Sequence, residues 1–200
     1  TEAGSLEEYA QSVGKSVDEV SGEYERLLAS QQTVFSNADK AFQTAGLSAN
    51  KYMETVTSFS ASLIQGLGGD TEAAAQLADQ AIIDMADNAN KMGTDMESIQ
   101  NAYQGFAKRN FDMLDNLKLG YGGTQAEMVR LINDSGILNE TISNLDNVSF
   151  DQMIQAIHAV QTDMGITGTT AKEAATTIEG STNSMKAAWE NLVTGIARDD

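Results

Sequence analysis

This 200-residue chain has one histidine and no cysteine, so it lacks most of the residues that commonly carry nucleophilic or metal-dependent chemistry. The single histidine, His158, lies beside the apolar stripe of a predicted helix. A zinc site here would need carboxylates to supply nearly every ligand. We therefore interpret His158 as a half-buried or surface histidine, and we predict no metal site and no cofactor.

Two pairs of aspartates have the three-residue spacing that places both side chains on one face of a helix: Asp84 with Asp87, and Asp112 with Asp115. Glycosidases use carboxylate pairs, but usually from separate elements around a cleft. We predict that both pairs lie on solvated helix faces. The G-x-S-x-G motif of a nucleophilic serine is also missing. The sequence therefore predicts no catalytic residue and a protein that is not an enzyme, with a wall hydrolase as the enzymatic alternative.

A glycine-rich segment, MLDNLKLGYGGTQAEM at residues 113–128, predicts a turn that leads into a helix. Gly120, Gly122 and Gly123 stand where a positive φ would cost little. Thr124 and Glu127 have the spacing of a capping box. A phosphate-binding loop would need the G-x-x-x-x-G-K-[ST] spacing and a preceding strand, and neither is present in the sequence.

The net charge of −17, from 29 acidic and 12 basic residues, limits the possible partners. Phosphate backbones and anionic membrane surfaces would both be repelled, so we predict no direct nucleic-acid binding. We expect no membrane span, because no apolar run approaches the roughly 18 residues that one needs. The first residues show no signal-peptide pattern and begin in helix-like sequence, so we expect an internal fragment of a longer chain.

The N-terminal region has a heptad pattern, with apolar residues separated by alternating steps of four and three from residue 6 to residue 45. This pattern predicts a helical arm over residues 1–46, and Gly14 with a Ser16–Glu19 capping box favours a break within it. The arm either packs on the rest of the chain or forms a coiled coil with another chain. The predicted self-association seam consists of Leu6, Val13, Val17, Val20, Tyr24, Leu27 and Val34.

The remainder, residues 47–200, predicts a compact domain of about six to seven helices, so the fold class is all-α with a long N-terminal helix. Apolar residues follow helical spacing, and no segment alternates with period two for long. Short connections favour neighbouring antiparallel helices. The helix predicted over residues 48–65 has an apolar face of Tyr52, Val56, Phe59 and Leu63, and Trp189 is the predicted core anchor of the last helix.

Several stretches of the chain resemble the tail tape measure proteins of tailed phages, especially those of Gram-positive hosts. One is the glycine-rich segment at residues 113–128. The others are GLGGDTEAAAQLADQAIIDMADNANKMGTDMESIQNAYQGFAKRNFDML (66–114), GTTAKEAATTIEGSTNSMKAAWENLVTG (168–195) and AGLSANKYM (45–53). Because the matched words are long and uninterrupted, the resemblance is specific.

The resemblance implies a structural role in setting tail length, in tail assembly and in genome ejection. It places the chain in the lumen of the phage tail tube in the virion, and in the bacterial host cytoplasm during assembly. The implied partners are tail tube and tail-tip proteins, and the heptad seam adds further copies of the chain itself. The alternative is a generic helical protein-interaction module of a secreted or signalling protein.

Overall fold

A computed structural model describes residues 4–177 of the chain, and every regular element within them is helical. This confirms the all-α fold class. Seven α-helices and one 3₁₀ turn follow in order: α1 Leu6–Val13, α2 Val17–Ala45, α3 Ala49–Gly66, α4 Thr71–Met92, α5 Met96–Ala107, the 3₁₀ turn Leu114–Leu117, α6 Gln125–Ser135 and α7 Phe150–Asp163. A further helical stretch begins at residue 169.

The heptad region is broken where the sequence favours a break. Gly14 ends α1 in the left-handed conformation at φ 68°, and Ser16 and Glu19 form the predicted capping box at the start of α2. The chain therefore folds back, and α1 packs against the first half of α2. The Tyr9 hydroxyl donates to Glu23 at 2.6 Å across this pair. After the break, α2 continues for 29 residues, a length of about 43 Å.

Helix α4 lies at the centre of the fold and contacts α2, α3, α5 and α7. Its inner face carries alanines that include Ala74, Ala78 and Ala81, all almost fully buried. Small side chains let neighbouring helices approach closely, so several of them can pack around one helix. The C-terminal half of α2 contributes Ala38 and Ala41 to the same core. A division into two units at residue 46 stays a prediction.

The apolar face predicted for residues 48–65 is confirmed, because Tyr52, Val56, Phe59 and Leu63 are all buried in α3. They join a core that also receives Tyr103 and other aromatic side chains from α5 and the segment after it. The predicted anchor of the last helix, Trp189, lies outside the described residues.

The glycine-rich segment folds back onto α6. Of its three glycines, only Gly120 uses the conformational freedom of glycine with a positive φ, at 86°. The capping box is also altered: Thr124 accepts from the Glu127 amide, but the Glu127 carboxylate accepts from the Gly122 amide at 3.0 Å. The Glu127 carboxylate therefore stabilises the turn before α6, while the Glu127 amide takes part in the cap at the start of the helix.

Gly123 is needed for close approach of two backbone segments. A Cβ added there would collide with the carbonyl oxygen of Asp112, whereas one on Gly122 would meet the Glu127 side chain at an ordinary 3.6 Å. We expect Gly123→Ala to lower the free energy of unfolding by about 2–3 kcal/mol through overpacking, and Gly122→Ala to change it by less than about 0.5 kcal/mol. Urea denaturation of the two variants measures both values. Equal stabilities would contradict the close approach.

Candidate functional site

Helix α4 carries three buried polar side chains, Asp84, Asp87 and Asn88, each at most 1% exposed. The prediction that Asp84 and Asp87 lie on a solvated helix face was wrong. Asp112 and Asp115 are exposed as predicted, but they lie in a turn and in the 3₁₀ turn and not on the face of an α-helix. The difference arises because α7 and the segment after it cover the α4 pair and supply hydrogen-bond partners to it.

Asp84 pairs with His158 of α7. The imidazole Nδ1 lies 2.9 Å from one carboxylate oxygen and 3.1 Å from the other, and Gln80 donates to the same carboxylate at 3.3 Å. Burial raises the pKa of Asp84, and the hydrogen bond from His158 opposes that rise. The hydrogen bond to Asp84 raises the pKa of His158, which remains about one-third exposed as a side chain. The predicted half-buried histidine is confirmed.

An Asp–His pair can orient an imidazole for general-base catalysis, provided that a nucleophile lies against the other ring nitrogen. Within residues 4–177, no hydroxyl forms a hydrogen bond with Nε2 of His158. The same described residues contain no group of three or more acidic or histidine side chains placed to hold a metal ion. The hydrogen bond between Asp84 and His158 therefore links α4 to α7.

Asp87 caps the helical stretch that begins at residue 169. Its carboxylate accepts from the amides of Gly168 and Thr170 at 2.6 and 2.8 Å, and the Thr169 hydroxyl lies 3.4 Å from it. The sequence instead predicts a local capping box of Thr170 and Glu173. That prediction was wrong: Thr170 is already inside the helical stretch. The Glu173 carboxylate accepts from Asn90 of α4.

The predicted seam residues do not form one continuous surface. Val20 is fully buried between α1 and α2, while Leu6, Tyr24, Leu27 and Val34 are partly buried. Two others, Val13 and Val17, flank the turn between α1 and α2 and are 43% and 38% exposed. Much of the seam is therefore occupied within the chain, by α1 at one end and by α3 and α4 at the other. Association with a second copy stays a prediction.

An open apolar groove of about 270 Å³ lies between α2 and α3. Leu27, Val34 and Phe35 of α2 form one wall, and Met53 and Ile64 of α3 lie in the other. Alanines of α4 form the floor, among them Ala74, Ala75 and Ala78. These floor residues have small side chains, and among the described residues the apolar surface of the groove remains accessible.

Along the edge of the groove, α2 exposes a line of apolar residues that the heptad analysis missed. Leu28, Phe35 and Phe42 are 41%, 44% and 64% exposed, and they recur at every seventh residue. The line lies one position beyond the seam residues Leu27 and Val34. The sequence contains this line as a second apolar repeat with a period of seven residues. We call Leu28, Phe35 and Phe42 the outer stripe.

Comparisons with known proteins identify no relative of this chain: no family model, no curated protein and no solved structure matches it. Among the residues that the structure describes, none of the helices combines the length and apolar character required to cross a bilayer.

Proposed function

We propose that this chain is a segment of a phage tail tape measure protein, acting in tail-length determination, tail assembly and genome ejection. The observation that supports this proposal best is the length of α2, which is unbroken over 29 residues. A helix converts residue number into distance at about 1.5 Å per residue, which is the physical requirement for a molecular ruler. The sequence resemblance described above supports the same role.

In this proposal, α2 contributes length and the surrounding helices form a compact unit within the longer ruler. The partners are tail tube and tail-tip proteins, and the location is the tube lumen in the virion, or the host cytoplasm during assembly. The negative charge suits a chain that shares the tube with DNA without binding it, because like charges repel. Direct nucleic-acid binding is accordingly not part of the role.

The test is an in-frame deletion of residues 21–34 in the parent phage. This removes two heptads, about 14 residues, and keeps the register of the seam. We expect the tail to shorten by about 21 Å, because that is the rise of the deleted helix. Averaged electron micrographs of intact particles measure the change in tail length. Because the tail tube consists of rings, the observed change can be rounded to a whole number of rings.

Duplicating the same residues is the matched control, and we expect it to lengthen the tail by a similar amount. Viable particles with unaltered tails in both variants would refute a measuring role for this helix. The alternative function, a generic helical interaction module, is favoured by the apolar groove and the outer stripe. Under that alternative, neither variant changes tail length.

A further inference from the structure

We propose that the groove between α2 and α3 is a docking site for an amphipathic helix of another protein, apolar on one face and rich in Lys and Arg along its flank. Helix-in-groove recognition places apolar anchors spaced three, four or seven residues apart into a hydrophobic channel. The groove has the matching chemistry, since Leu27, Val34, Phe35 and Ile64 line it above a floor of alanines.

The positions of the outer-stripe residues indicate how such a helix would be oriented relative to α2. Leu28, Phe35 and Phe42 are separated by seven residues each, and Phe35 also lines the groove. Residues seven apart stay on nearly the same face of an α-helix, turning by only about 20° per heptad. A partner with a heptad repeat would therefore lie along α2 and cover all three side chains while its anchors enter the groove.

Charge at one end of the groove selects a basic occupant. A neighbouring polar cavity of about 380 Å³ shares Leu27 and Thr71 with the groove. Its lining includes the acidic residues Glu23, Asp70 and Glu72 and one basic residue, Arg26. Lys or Arg side chains flanking the apolar face of a docked helix would reach these carboxylates.

A second copy of this chain is a poorer occupant of the same site. Both copies would carry a net charge of −17, and α2 itself has more carboxylates than cations. Like charges brought together at an interface oppose association. The partner that complements both the apolar groove and its acidic end is therefore a cationic helix.

The probe is a fluorescent synthetic peptide of about four heptads, with leucine at a, alanine at d to limit self-association, and lysine at e and g. We expect the purified chain to bind it at about 0.15 M salt, as measured by fluorescence anisotropy. A peptide with glutamate in place of every lysine, and a scrambled peptide of unchanged composition, should each bind at least about tenfold more weakly.

Two pairs of variants distinguish binding of the peptide in the groove from its nonspecific attraction to an acidic protein. Phe35→Ser should weaken binding about tenfold or more, whereas Met113→Ser removes an equally exposed apolar side chain elsewhere and should have no effect. The double variant Glu23→Gln/Glu72→Gln should weaken binding about threefold or more. Its control has the same net charge and changes the exposed Glu97 and Glu140 to Gln. Circular dichroism confirms that each variant is folded.

Equal binding of the lysine and scrambled peptides, or equal effects of Phe35→Ser and Met113→Ser, would overturn the assignment. Sedimentation of the chain alone gives a second decisive outcome. A dimer that Phe35→Ser dissociates would assign the groove to another copy of the chain and exclude the cationic helix. Peptide binding by the purified chain does not depend on a role in tail length, so the two proposals fail separately.

Discussion

Replacing Asp87 with alanine is expected to lower the free energy of unfolding by about 3 kcal/mol or more. The carboxylate is 1% exposed and accepts from the amides of Gly168 and Thr170. Hydrogen bonds to a charged group contribute about 1.5–3 kcal/mol each, and the alanine variant loses two of them. The carboxylate also complements the positive end of the helical stretch that it caps.

Urea denaturation of the purified chain measures this loss, and Asp112→Ala is the matched control. The Asp112 side chain is exposed, so its removal should change stability by less than about 0.5 kcal/mol. Asp87→Asn should fall between the two, because an amide oxygen still accepts a hydrogen bond but carries no charge. Hydrogen exchange at Gly168 and Thr170 should accelerate in Asp87→Ala. Unchanged exchange at these amides would show that Asp87 does not cap them.

Replacing His158 with leucine is expected to cost about 2–3 kcal/mol, because it leaves the buried Asp84 carboxylate with Gln80 alone. The value is below that of a fully buried pair because the His158 side chain is about one-third exposed. Replacing both partners with leucine should recover much of the loss, since no charge is then left buried. Urea denaturation of the two single variants and the double variant completes the cycle. A double variant as unstable as the sum of the single ones would contradict a direct pair.

The pair also predicts a pH dependence of stability. The pKa of His158 is raised in the folded chain, so its contribution is complete below the unfolded value of about 6.5 and is lost as the pH rises through the folded value. Asp84 also has a raised pKa, which makes ionisation at higher pH unfavourable to the folded state. Both groups bind protons more tightly when folded, so both make stability fall as pH rises.

The difference in unfolding free energy between wild type and His158→Leu isolates this effect from the charge of the whole chain. We expect the difference to decrease steadily as the pH is raised above about 6.5. A difference that stays constant over that range, or grows with pH, would show that the imidazole does not gain protons on folding.

Local sequence signals account well for the helix boundaries. Gly14, Gly46, Gly93 and Gly136 end helices in the left-handed conformation, as a C-terminal glycine predicts. These signals are readable because a cap involves residues only a few positions apart. Where two neighbouring residues could each serve as the N-cap, local spacing does not show which of them does. The spacing of Thr94 and Glu97 predicts a capping box for α5, but Asp95 is the N-cap and accepts from the Ser98 amide at 2.8 Å.

Nonlocal partners account for what sequence reasoning missed. Asp84 with Asp87 and Asp112 with Asp115 have identical spacing, yet one pair is buried and the other is solvated. The spacing alone does not distinguish them: Asp84 and Asp87 lie in α4 under α7 and the segment after it, whereas Asp112 and Asp115 lie in an exposed turn and the 3₁₀ turn. Lys108 and Arg109 suit the C-terminal end of a helix and predict that α5 reaches about Arg109, but it ends at Ala107. Arg109 adopts a φ of 62° and donates to the carbonyl of Leu145, 36 residues away.

The cap that Asp87 provides also has a consequence for the order of folding. Asp87 precedes Thr170 by 83 residues, and the entropy cost of closing such a loop must be met before their hydrogen bond can form. Helix initiation is unfavourable until its first turn is stabilised. The stretch beginning at residue 169 has its cap on α4, so we expect its first turn to form late, after α4 and α7 have docked. Its folding rate is then set by chain topology more than by its own helix propensity.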